Sequence, residues 1–191
     1  MKSSETSILV IAGYAGAAAN GEPHWQQRMV SKLSTAKIVE QEDWFYGSLS
    51  KAVGALVAAV TATDKPVVFV AHSAGCILVA HAVGALREAG VIAQVKGAFL
   101  VAPRCQQELE KLEPKIDAEM VKVPRDPLPF VSIVIASSND EFSTLEQSAD
   151  IASAWGSDFV NAGEQGHINT ASGHGPWPEG MMKFAGWLSK L

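Results

Sequence analysis

Residues 66–80 read Pro66-Val67-Val68-Phe69-Val70-Ala71-His72-Ser73-Ala74-Gly75-Cys76-Ile77-Leu78-Val79-Ala80. The unbroken apolar run at the start, rich in β-branched residues, suits a strand covered on both faces. The run after Gly75 suits a buried helix. Between them the chain must reverse sharply, which leaves no room for bulky side chains. Ala71 and Gly75 flank Ser73 two positions away on either side, the GxSxG arrangement with Ala in first place. Such a turn sets the Ser73 hydroxyl at the carboxyl edge of a sheet. It also aims the next helix at that hydroxyl, so that the helix dipole and the Ala74 N–H face any oxyanion formed there. The plainer reading of Ser73 is a helix N-cap.

Working outward, three further apolar runs resemble the first: residues 8–12, 98–102 and 131–136. Two weaker candidates are residues 37–40 and 158–161. Helical patterns cover about 24–33, 49–62, 74–89, 144–155 and 178–191. Strands alternating with helices predict a doubly wound, mostly parallel α/β sheet of five or six strands with helices on both faces, one domain over 1–191. Residues 104–130 carry no strand signal, which leaves a flap open. Their first part, 106–119, is charged and amphipathic, and 123–130 holds three prolines and should be extended.

The 191 residues include 15 Lys plus Arg against 20 Asp plus Glu, a formal charge of −5, and 48% are hydrophobic. That is enough apolar surface for a sizeable core. No basic run or tail offers a footprint for a polyanion, so nucleic acid is not an expected partner. Cys76 and Cys105 make no disulfide framework and no CxxC. His24, His72, His81, His167 and His174 form no HExxH or HxH pair, so neither metal nor cofactor is expected. Residues 8–19 superficially imitate a secretion signal, but Gly13, Tyr14 and Gly16 interrupt it. No segment approaches the length of apolar residues that crosses a bilayer. The expectation is a cytoplasmic protein without a membrane partner.

A serine hydroxyl needs a histidine to take its proton and a carboxylate to orient that histidine. Behind an elbow of this kind the acid follows a later strand and the histidine follows the last one. Asp140 ends the run 131–136 in Ser137-Ser138-Asn139-Asp140-Glu141 and is the expected acid. Glu141 is its neighbour to be excluded, and either carboxylate has an alternative duty as a cap for the helix near Thr144. His167, in Gly166-His167-Ile168-Asn169, is the expected base, and His174 is the rival. The second oxyanion donor is expected from Gly13-Tyr14-Ala15-Gly16, through the Tyr14 main chain. A nucleotide-binding reading of that loop lacks both GxGxxG and a lysine after a glycine. His72 is expected to point away from the nucleophile, and His81 to pack or face water.

With these residues placed, the chain resembles the small serine hydrolases of the α/β hydrolase superfamily that include retinoblastoma-binding protein 9 and its bacterial relatives. The pieces that carry the resemblance are His24-Trp25-Gln26, Ala71-His72-Ser73-Ala74-Gly75, Leu128-Pro129-Phe130, Ser137-Ser138-Asn139-Asp140, Gly166-His167-Ile168-Asn169 and Gly175-Pro176-Trp177-Pro178-Glu179-Gly180. The resemblance implies a core without a large lid, a triad on Ser73, Asp140 and His167, and carboxylic ester hydrolysis. It also implies that His24 and Trp25 lie near the mouth of the pocket. The chain departs from the pattern at Glu141, where relatives often have proline, and at His174, where an aromatic is common. The latter puts an extra histidine near the substrate. The expected substrate is a small soluble ester or amide. The alternative is a hydrolase-fold protein that binds a protein partner or small ligand without useful catalysis.

Overall fold

Along the first strand of the sheet, successive side chains leave toward opposite faces, and both faces are buried. Leu9 and Ile11 enter one apolar cluster and Ile8 and Val10 the other. This explains why the strand signals were continuous apolar runs instead of alternating ones. The computed structural model describes residues 1–16 and 23–191. The later part of the apolar stretch 8–19, and of the loop that begins at Gly13, therefore lies outside the described residues.

The six strands are β1 (Ser7–Ile11), β2 (Ala36–Ile38), β3 (Val67–His72), β4 (Val95–Val101), β5 (Val131–Ala136) and β6 (Asp158–Asn161). All pair in parallel, in the order β2-β1-β3-β4-β5-β6. The helices α1 (Trp25–Lys32) and α7 (Pro178–Leu188) cover one face through Trp25, Met29, Phe184 and Trp187. On the other face lie α2 (Leu49–Thr61), α3 (Ala74–Glu88) and α6 (Leu145–Trp155), with Leu56, Ile77, Ile151 and Trp155 among their buried residues. The chain reverses its direction of winding between β1 and β3, so their carboxyl ends open a crevice where loops diverge.

Two expectations shift. β4 begins at Val95, three residues before the apolar run, because exposed Lys96 and small Gly97 conceal a segment that still pairs with β3 across an irregular register. Residues 104–130 form no flap: α4 (Gln106–Glu110), α5 (Ala118–Val121) and the turn between them bury Leu109, Met120 and Ile116 in the main cluster. Among the described residues no helix is long and apolar enough to cross a membrane.

Candidate active site

Ser73 stands between β3 and α3 with φ 54° and ψ −126°, a conformation that side chains other than glycine rarely adopt. The surrounding packing enforces it. A Cβ on Gly75 would lie 2.5 Å from the Ala12 carbonyl oxygen and 2.7 Å from that of Ile11, so only glycine lets α3 start this close to β1. Ser73 occupies the N-cap position of α3, but its side chain makes no capping bond to the helix and is turned to His167 instead. Its N–H donates to the Val101 carbonyl at 3.0 Å, tying the turn to β4.

The Ser73 hydroxyl lies 2.9 Å from His167 Nε2, and His167 Nδ1 lies 3.0 and 2.9 Å from the two Asp140 carboxylate oxygens. A carboxylate only accepts, so Nδ1 carries a proton, and the neutral ring then offers Nε2 as acceptor to the Ser73 hydroxyl. The imidazole and the Asp140 carboxylate are both almost wholly buried. Three residues from distant parts of the chain thus form one hydrogen-bonded line.

The loops that bring them together are stitched by their small polar residues. The Ser138 N–H donates to the Gly163 carbonyl, Gln165 N–H to Ser137 Oγ, and Gly166 N–H to Asn139 Oδ1. The Phe142 N–H donates to Asp140 Oδ1 at 2.9 Å and orients the carboxylate. Asp140 is not a helix cap, since Thr144 Oγ1 accepts the Gln147 N–H at the start of α6. Glu141 is exposed.

A cavity of about 170 Å³ surrounds the Ser73 hydroxyl, with Tyr14, His24, His72, His167 and Arg104 among its lining residues. Ala74 opens α3, where the first N–H groups have no helix carbonyl to meet. The neighbouring Ala15 and Gly16 N–H groups donate to Trp44 and Gly13 carbonyls, whereas no described backbone carbonyl takes that of Tyr14. A larger cavity of about 560 Å³ lies between α1 and α7, lined by Trp25, Met29 and Trp177, but it contains neither Ser73 nor His167. Among the described residues no group of three or more His, Cys, Asp or Glu side chains is arranged to hold a metal ion.

Two expected substrate contacts do not line this cavity. Trp25 is 1% exposed, beneath the site, and its indole N–H donates to the Ile168 carbonyl at 2.9 Å. It is large and apolar, and it anchors the histidine loop from below. His174 does not line the cavity. Its ring is held by Gln165 Oε1 at 2.8 Å and Ser172 Oγ at 3.3 Å, bracing the same loop. His24 does line the cavity, while its Nδ1 accepts the Gln26 N–H at the start of α1. Burial, with His167 and His174 nearby, lowers its imidazole to about 4. Gln26 completes this cluster by donating to the carbonyls of Ile11, at the end of β1, and Val70, within β3.

His72, expected to point away from the nucleophile, instead lines the same cavity as Ser73 and packs its ring on the histidine loop. Its Nε2–H donates to the His167 carbonyl at 2.8 Å, and the two rings lie 4.8 Å apart. Burial above all, then His167 and His24, holds its pKa well below the usual histidine range. Arg104 and Phe142 also line the cavity and were not singled out from the sequence. Position just after β4 was the available signal for Arg104, and adjacency to the acid loop for Phe142.

Similar folds are known. The chain is 27% identical to a protein assigned as a YdeN-like hydrolase of Pectobacterium atrosepticum, with 96% of this chain and 90% of that one covered and a TM-score of 0.78. The ydeN gene product of B. subtilis is 19% identical, with 97% and 99% covered and a TM-score of 0.69. A thermophilic esterase of Thermogutta terrifontis, solved with butyrate bound, is 15% identical, with 100% and 85% covered and a TM-score of 0.69. The chain matches none of the curated proteins. The model of the serine hydrolase family matches residues 8–186, nearly the full length, and this α/β hydrolase chain therefore belongs to the serine hydrolases.

Proposed function

We propose that the protein hydrolyses small carboxylic esters through an acyl-enzyme on Ser73. The observation that carries this reading is the unbroken line from the Ser73 hydroxyl through His167 to Asp140, set on a strained turn. Ser73 Oγ attacks the ester carbonyl while His167 Nε2 takes its proton, and Asp140 stabilises the imidazolium. The N–H groups of Ala74 and Tyr14 meet the oxyanion. The imidazolium then protonates the departing alcohol. Water, deprotonated by the same ring, attacks the acyl carbonyl and releases the acid and free Ser73. A cavity of about 170 Å³ favours a short acyl group over a lipid tail.

A fluorophosphonate probe tests this reading. The wild type should be labelled and should turn over acetyl and butyryl nitrophenyl esters, and Ser73→Ala should do neither. Equal labelling of both proteins, or no labelling of the wild type, would leave a hydrolase-fold binder as the better account.

A further inference from the structure

One charged residue at the site has no part in the acyl-transfer reading. Arg104 follows β4 on the loop that also carries Ala102 at φ 48°. It is 8% exposed and lines the same cavity as Ser73 and His167. Its guanidinium carbon sits 4.0 Å from the centroid of the Phe142 ring, which packs T-shaped with the His167 ring at a centroid distance of 4.6 Å.

Among the described residues nothing accepts a hydrogen bond from the buried Arg104 Nε. None of their carboxylates is in ion-pair contact with it. Glu108 and Asp140 act on it only from a distance, and Asp140 is committed to His167. Removing a guanidinium from water is costly unless an anion compensates, and one aromatic face recovers only part of that cost. Among the described residues no Asp or Glu lines the cavity. The site is therefore electrostatically suited to an anion, and arginine's planar fork matches a carboxylate.

We propose that Arg104 sets substrate specificity by pairing with a free carboxylate on the substrate, making short esters with a carboxylate a few carbons from the scissile bond the preferred class. This rests on the ester-hydrolase reading above. The cavity of about 170 Å³ keeps that span short.

The test compares kcat/KM for 4-nitrophenyl hemiglutarate and 4-nitrophenyl pentanoate, which match in length and differ in charge. A second pair, 3-acetoxypropanoate and propyl acetate, puts the carboxylate on the alcohol side. The wild type should favour the charged member of one pair by about tenfold or more. Arg104→Met should bring that ratio to about one or below, and Arg104→Lys should retain part of it. If Arg104 only holds Phe142 against His167, Arg104→Met slows both members alike and leaves the ratio unchanged, which overturns the proposal, as does a wild-type ratio near one in both pairs.

Calorimetric titration of Ser73→Ala with glutarate and with 3-hydroxypropanoate needs no turnover. Binding should weaken about tenfold or more when Arg104→Met is added. Binding of this kind in a protein that hydrolyses no ester would overturn the hydrolase reading and keep the anion site. Hydrolysis without charge preference or Arg104-dependent binding would do the reverse.

Discussion

Replacing Gly75 by alanine adds one methyl group at the tightest approach between α3 and β1. The new Cβ would meet the Ala12 and Ile11 carbonyl oxygens at 2.5 and 2.7 Å. Both are backbone atoms, Ile11 at the end of β1 and Ala12 just beyond it, and their carbonyls accept from the Gln26 and Tyr46 side chains, so the helix must move. Reaching an ordinary contact of 3.4 Å from 2.5 Å requires a displacement of about 0.9 Å at the first turn of α3, the segment that carries Ser73 and the Ala74 N–H. Moved directly away from His167, the hydroxyl contact of 2.9 Å would stretch to about 3.8 Å, beyond hydrogen-bond length. A misplacement of this order costs about 100-fold in turnover, and the overpacking costs ~1–3 kcal/mol of stability. Gly84→Ala, in the same helix, is the control, because its Cβ meets nothing within 4 Å. It should be active and up to ~1 kcal/mol more stable through helix propensity. Ester hydrolysis and fluorophosphonate labelling rates, read beside thermal melts, separate misplacement from unfolding. A folded Gly75→Ala with wild-type labelling and turnover would refute the claim that this contact positions the nucleophile.

Asp140→Asn should fold yet lose activity by roughly 10⁴, since an amide no longer holds the required tautomer, whereas exposed Glu141→Gln should stay close to wild type; initial rates on a nitrophenyl ester decide. Trp25→Phe leaves the buried Ile168 carbonyl without its donor, which should cost ~1–3 kcal/mol in urea unfolding and lower kcat more than it raises KM, while His174→Gln should change KM little because the ring does not line the cavity. Burial holds His24 at about 4 against an ordinary 6.5, and His72 well below its ordinary value, so the unfolded chain binds more protons than the folded one across that window. The stability from His24 is thus complete above about pH 6.5 and lost as the pH falls toward 4, about 3 kcal/mol in all. Urea midpoints at pH 7.5 and 4.5 measure this, and His24→Asn, which keeps a capping acceptor, should narrow the difference; an unchanged difference would contradict the assignment.

Much of this architecture was written in local patterns. Continuous β-branched runs marked β1, β3 and β5 because both faces of those strands are buried, and the small residues around Ser73 marked the turn because no larger ones fit against β1. The order of motifs placed a serine, an acid and a histidine on loops at one edge of the sheet. What the chain order could not reveal was where neighbouring loops come to rest. Strand alternation alone sends His72 away from Ser73, yet its ring packs against His167 and lines the same cavity. Trp25 and His174 brace that loop without lining the cavity. Arg104 carries no motif, and its burial beside Phe142 follows from the packing of the β4 loop against the acid loop. Strand pattern and turn sterics act over a few residues and are legible in sequence. Which side chains share one desolvated cavity depends on contacts across tens of residues, and that was decided only by the tertiary structure.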